Sequence, residues 1–132
     1  LIVLDASAVL ELLLRSAAGD AVTRRIAPAE ETLHAPHLLD LEVVQVLRRY
    51  EASGSLSRSR AEESLEDFLG LDVIRYPHDA LLPRVWSLRR NLTAYDAAYV
   101  ALAEALDAPL LTADARLARS TGHRARMELV AV

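Results

Sequence analysis

The sequence predicts an α/β fold, a three-layer α/β/α sandwich around a mostly parallel sheet. Three observations lead there. Short aliphatic runs alternate with helical segments along all 132 residues, the rhythm of strands joined by helical crossovers. The first run, LIVL at 1–4, is aliphatic without alternation, as expected of a strand covered on both faces. Two acids, Asp5 and Asp114, stand directly after such runs, and sites in open α/β sheets gather beyond the carboxyl ends of the strands.

The elements follow in order. After the strand 1–4, SAVLELLL (7–14) suits a helix with Ser7 as its cap. A second short helix is expected from Asp20 to Ile26, and ETLHAP holds a short strand ending at Pro36. Leu38 to Ala52 has a strongly helical pattern. In GSLSRSRAEESLEDFLG, Ser59 and Glu62 have the spacing of a capping box, and Gly70 closes the helix. LDVIRYP is a strand stopped by Pro77. Helices are expected over Asp79–Arg90 and Ala94–Leu106, then a strand in APLLTAD. A short helix at Ala115–Arg119 and a last strand, MELVAV, complete a single domain over 1–132.

Composition narrows the class. The chain is 52% hydrophobic and 26% charged, which is globular rather than disordered. It has no cysteine, so disulfides and thiolate ligands are excluded, consistent with a reducing compartment. No leader is visible before Asp5, and no uncharged run approaches the ~18 residues of a membrane span. A soluble, cytoplasmic protein without membrane contact is expected. The net charge is −4, and all 15 basic residues are arginine. With four acids committed to bound cations the remainder is neutral, and its arginines are then free to grip phosphates bidentately.

Four acids carry the chemistry, and each has two readings. Asp5 in D-A-S at a strand-to-helix turn is either a helix cap or a site residue. Glu42 in LLDLEVVQVLRRY shares a face with Gln45 and Arg49, beside a stripe of Leu39, Val43, Val46 and Leu47. It is a solvated helix edge or a ligand. Thr93 and Asp96 have capping-box spacing, yet the turns above Asp96 carry Val100 and Ala103, an apolar face on which a carboxylate needs a strong partner. Asp114 in LLTADARLA is a good N-cap for the short helix after it. Singly these signals are weak. If the four converge, their charges require raised pKa values or cations. All-oxygen donors suit Mg²⁺ or Mn²⁺ rather than zinc, and such ions hydrolyse phosphodiesters without a protein nucleophile.

On these residues the chain resembles the PIN-domain family, and within it the VapC-type ribonuclease toxins of bacterial toxin–antitoxin pairs. The resemblance rests on LIVLDASAVLELLL, the glutamate of LLDLEVVQVLRR, LTAYDAAYVALAEAL and LLTADARLA, and spans Leu1 to Val132. LTAYDAAYVALAE followed by LLTAD is its most specific part. It implies a PIN-like fold and an endoribonuclease dependent on Mg²⁺ or Mn²⁺. Asp5, Glu42, Asp96 and Asp114 match the family's acidic quartet, while Ser7 and Thr112 match positions that hydrogen-bond the acids or a metal-bound water. The aspartates would hold metal directly or through water, and Glu42 would bind metal or orient the attacking water. The implied products carry 5′-phosphate and 3′-hydroxyl ends. Some members carry a further acid or Asn after the last Asp. Here Ala115, Arg116 and Leu117 follow, which leaves the number of metals open. The resemblance also implies a homodimer and a cognate antitoxin that lies across the helices beside the site.

Arg89, Arg90 and Arg116 are the arginines nearest the acids in sequence and are candidates for RNA phosphates. Tyr95 and Tyr99 share a helical face and are expected in the core or an interface. Trp86, Leu82 and Val85 suit core packing or a dimer seam. His34 and His37 flank Pro36 at a strand end, where zinc is not expected, and His78 and His123 are read as surface residues. Alternative functions are a PIN-type nuclease for RNA processing or DNA, and a degenerate binding module. A phosphatase of the haloacid-dehalogenase type wants a second Asp where Ser7 stands. A phosphoacceptor receiver wants a lysine, which the chain lacks.

Overall fold

A computed structural model describes residues 1–130. Five strands form one sheet: β1 (Ile2–Leu4), β2 (Leu33–Pro36), β3 (Val73–Tyr76), β4 (Leu110–Thr112) and β5 (Met127–Leu129), in the order β3-β2-β1-β4-β5. Every pairing is parallel, with Val3 opposite His34 on one side and Leu110 on the other. Ile2, Val3 and Leu4 are fully buried, so β1 is covered on both faces, as its unbroken aliphatic run requires. The end of the expected last strand, Ala131 and Val132, lies outside the described residues.

The helices are α1 (Ala6–Leu13), α2 (Ala17–Ile26), α3 (Leu38–Ala52), α4 (Arg58–Leu69), α5 (Leu82–Ser87), α6 (Ala94–Leu106) and α7 (Ala115–Ala118). Among the described residues none is long and apolar enough to cross a membrane. Ala97, Val100, Ala101 and Ala103 bury α6 against the sheet. Gly19 permits the tight α1–α2 corner, because a Cβ there would lie 2.1 Å from the Glu11 carbonyl oxygen.

The strand order reverses between β1 and β4. The chain steps outward through β2 and β3, then returns to β4 on the other side of β1 and steps out to β5. In open parallel sheets such a switch point, a crevice at the carboxyl ends of the strands, is where sites gather. Asp5 and Asp114 stand there.

Four expectations about local structure need correction. Asp5, not Ser7, caps α1, accepting from the Ala8 N–H. The second helix starts at Ala17, one turn early, because Ser16 caps it through the Gly19 N–H. Ser57 rather than Ser59 caps α4, and Glu62 pairs with Arg58 instead of reaching back to the cap. Asp79–Arg90 is not one helix. A single 3₁₀ turn at Asp79–Leu81 precedes α5, which ends at Ser87. Pro83 has no N–H to give to Asp79, so the segment cannot begin as a regular α-helix. At the far end the Leu88 N–H is shared between the Arg84 and Val85 carbonyls, and the turn that follows brings Leu88 and Leu92 into the core.

Candidate active site

Asp5 is delivered by β1 and fixed from three directions. Its Oδ1 accepts the Ser7 hydroxyl at 2.7 Å and the Ala8 N–H at 3.0 Å. Its Oδ2 accepts the Thr112 hydroxyl at 2.5 Å. Ser7 Oγ in turn accepts the Ala113 N–H at 2.9 Å, and Thr112 Oγ1 accepts the Asp114 N–H at 3.0 Å. This lattice ties the β1–α1 loop to the β4–α7 loop across the crevice. A carboxylate has about four lone-pair sites, so two donors fill Oδ1 while Oδ2 keeps one for a further partner. One oxygen of Asp5 thus caps α1, while the other is bonded to Thr112 and keeps a lone pair.

Asp114 is divided in the same way. Its Oδ1 accepts the Arg116 and Leu117 N–H groups at 2.9 and 3.3 Å, capping α7. Its Oδ2 meets only the Arg116 guanidinium, at 3.2 Å. Glu42 reaches in from α3, and its Oε1 accepts the Tyr99 hydroxyl at 2.6 Å, leaving Oε2 without a protein donor. Asp96 sits in the first turn of α6, where Thr93 is the N-cap through the Asp96 N–H. The carboxylate does not complete a capping box. It turns to Arg116, whose Nη2 lies 2.8 Å from its Oδ2.

Burial pushes the Asp5 carboxyl above its usual range, against the lowering effect of its hydrogen bonds, and the Asp114 charge adds to the rise. Burial likewise raises Glu42, the Tyr99 bond opposes this, and the charges of Asp96 and Asp5 raise it further. The acids thus act on one another through a partly dry crevice. Tyr99 is pushed up by burial and by its bond to Glu42, so its hydroxyl stays protonated and donates. Among the described residues no three acids or histidines converge closely enough, as placed, to hold one metal ion. Arg116 spans Asp96 and Asp114 instead.

The other sequence-marked residues scatter. Arg89 stacks on Trp86 at 4.4 Å and bonds its carbonyl, while Arg90 is exposed on the following turn. Of the three arginines only Arg116 touches the acids. Trp86 and Leu82 are exposed rather than in the core. His34 is buried between Thr32 and Tyr76, and His37 lies edge-on to His78. His78 is not a free surface residue: its Nε2 accepts the Leu38 N–H at the start of α3.

Sequence reasoning missed the role of Tyr99. It is 2% exposed, whereas Tyr95, one turn earlier, is 62% exposed. The available signal was a phenol inside the apolar run AAYVALA, because a buried Tyr hydroxyl needs a partner. Beside the acids runs a groove of about 510 Å³ lined by Leu10, Leu38, Leu41, Glu42, Val46 and Tyr95, among others.

The sequence model of the PIN domain matches residues 2–122. The chain is 46% identical over 131 residues to ribonuclease VapC12 of Mycobacterium tuberculosis, covering 99% of this chain and 100% of that protein. Among solved structures it is similar to PAE2754 from Pyrobaculum aerophilum, with a TM-score of 0.68 at 26% identity over 96% of this chain and 81% of that one. It also shares its fold with VapBC2 from Rickettsia felis, solved with a DNA fragment from their promoter, at a TM-score of 0.70 and 14% identity over 97% of each chain. The match to the PIN-domain model and the near-full-length likeness to a VapC ribonuclease place the chain in the PIN-domain family, among the VapC ribonucleases.

Proposed function

We propose that this chain is a metal-dependent endoribonuclease, the toxin of a VapBC-like toxin–antitoxin pair, acting in the cytoplasm. The observation that carries this reading is the division of each acid. On Asp5 and Asp114 one oxygen takes two donors and the other a single side-chain donor, Thr112 or Arg116, while Glu42 spends one oxygen on Tyr99 and keeps the other free of protein donors. Hard oxygen donors of this kind fit Mg²⁺ or Mn²⁺. The set fits the ion in the chemistry of its donors. Asp5, Asp96 and Asp114 would hold the ion directly or through water, and Glu42 would hold it or aim the attacking water. Bound there, a divalent ion supplies Lewis acidity and a nucleophile at neutral pH.

The chain's own residues do the rest. Ser7 and Thr112 lock the Asp5 carboxylate, so it enters the reaction without reorganising. Tyr99 holds Glu42 in one rotamer. Arg90 and Arg116, both exposed, are placed for RNA phosphates. Arg89 is partly committed to Trp86. The groove beside Glu42 offers an antitoxin segment apolar contact through Leu10, Leu41 and Val46. Exposed Leu82 and Trp86 give a homodimer an apolar seam.

The test is incubation of purified protein with structured RNAs in Mg²⁺, Mn²⁺ or EDTA, beside Asp96→Asn. Cleavage that requires metal and disappears in the variant is expected. Equal cleavage by the variant, or cleavage in EDTA, would overturn the assignment.

A further inference from the structure

The Arg116 guanidinium stands where a cation serving Asp96 and Asp114 would stand. One nitrogen, Nη2, lies 2.8 Å from Asp96 Oδ2 and 3.2 Å from Asp114 Oδ2. These acids come from the first turn of α6 and the β4–α7 turn. Their bridged oxygens are free of other protein donors, since Asp114 spends its other oxygen on capping α7. A single positive charge thus joins two carboxylates, and it uses the lone pairs that a dication would need.

The contact is built to open. The Arg116 side chain is 63% exposed, and exposed ion pairs are weak. It hangs from α7 on a long flexible stem, so it can leave without moving the backbone. A dication outcompetes it on charge. Once released, the guanidinium remains on the solvent side of the same acids, the side from which an anionic substrate must approach, and its planar fork suits phosphate oxygens.

Resting on the nuclease reading above, we propose that Arg116 is an internal counter-ion that latches the metal-free site and that the incoming metal displaces it onto the phosphate of the RNA substrate. Metal and Arg116 then compete for the same oxygens. By linkage, anything that removes the latch strengthens metal binding. The same change removes a phosphate contact. The latch therefore demands opposite signs in two measurements on one variant.

The experiment titrates Mn²⁺ alone, by calorimetry, into the metal-free wild type, Arg116→Gln and Asp96→Asn, and measures KM for a cleaved RNA in saturating Mn²⁺. Arg116→Gln is expected to bind Mn²⁺ about five- to tenfold more tightly than wild type, the low end of coupling between sites. Its KM for RNA is expected to rise, and Mn²⁺ should raise its melting temperature more than that of wild type. Arg116→Lys, which keeps the charge without the fork, should fall between. Wild-type Mn²⁺ binding with equal or weaker affinity in Arg116→Gln would overturn the latch and leave the nuclease reading standing. Unchanged KM with tighter Mn²⁺ binding would overturn the transfer to phosphate. Absence of Mn²⁺ binding in both wild type and Arg116→Gln would overturn the metal reading and the latch with it.

Discussion

Thr112 donates its hydroxyl to Asp5 at 2.5 Å, across 107 positions of sequence. The same oxygen accepts the Asp114 N–H at 3.0 Å, so one hydroxyl sets the positions of two acids. Thr112→Val keeps the shape and removes both bonds. It leaves the Asp114 N–H without its partner, at a cost of about 1–3 kcal/mol, and loosens a carboxylate whose support is worth roughly 10–100-fold in activity. Both losses are expected, read from urea denaturation and initial cleavage rates. Thr112→Ser should recover most of each. A Val variant with wild-type rates would show that Asp5 needs no such anchor.

Asp5 costs the metal-free fold stability. It is 5% exposed, and the donors that bond it, Ser7, Ala8 N–H and Thr112, are all neutral. Burial raises its folded pKa above the ordinary 3.8. A raised folded pKa means that stability is full below the unfolded value and is lost as pH rises through the folded one. At neutral pH, in EDTA, Asp5→Asn is therefore expected to be more stable than wild type by on the order of 1 kcal/mol, while losing cleavage. The asparagine amide oxygen can still cap α1, and the Thr112 hydroxyl can rotate to accept. The difference between the proteins should shrink as pH falls below the ordinary 3.8, where Asp5 becomes neutral in the unfolded as well as the folded state. Added Mn²⁺ should stabilise wild type and not the variant. Thermal melts at several pH values read all three effects.

What the sequence made legible is what single residues state by themselves. LIVL announced a doubly covered strand, and β1 is fully buried. Leu38–Ala52 matches α3 at both ends, because its apolar stripe and its boundary beyond Pro36 agree. The errors fall where two local signals compete. Ser57 and Ser59 are both good caps, and only packing chooses Ser57. Pro83 is compatible with the first turn of a helix, yet here it divides the expected 79–90 helix. The acids stand out by type, since Asp after a strand is informative. What each carboxylate oxygen does was not legible. That depends on Tyr99 meeting Glu42 across 57 positions and on Arg116 meeting Asp96 across 20, distances at which one sequence carries no pairing signal. Tyr95 and Tyr99 share a helical face in the sequence, yet one turn separates the rim from the core.

Tyr99→Phe isolates the Glu42 contact. The ring stays in the core and only the hydroxyl goes. Glu42 Oε1 then lacks its protein donor, and the bond that lowers its pKa is lost. A fall in cleavage of about tenfold is expected, the low end for removing a residue that orients a ligand. It should appear in kcat more than in KM, since Glu42 is assigned to metal or water and not to RNA binding. The stability change should be about 1 kcal/mol or less, because Glu42 is half-buried and can turn to water. A KM effect at constant kcat would argue against that role for Glu42.

The acid limit of stability is expected to be set far from the crevice, at Glu104. Its side chain is 3% exposed. It receives two bonds from Arg84, at 2.7 and 2.9 Å, and the Arg124 N–H at 2.8 Å, tying α5 and the C-terminal loop to α6. The Arg84 guanidinium holds its carboxyl at about 2, below the ordinary 4.5. A depressed folded pKa gives stability that is present above the unfolded value and is lost as pH falls through the folded one. Wild type is thus expected to lose stability between about pH 4.5 and 2. Because Arg84 is 34% exposed, solvent screening reduces the share from this pair to on the order of 1–2 kcal/mol. Glu104→Gln should be less stable than wild type at neutral pH by about that amount, with a shallower decline in acid. Denaturation midpoints at about pH 7, 4.5 and 3 measure it, and parallel declines in the two proteins would place the acid-sensitive group elsewhere.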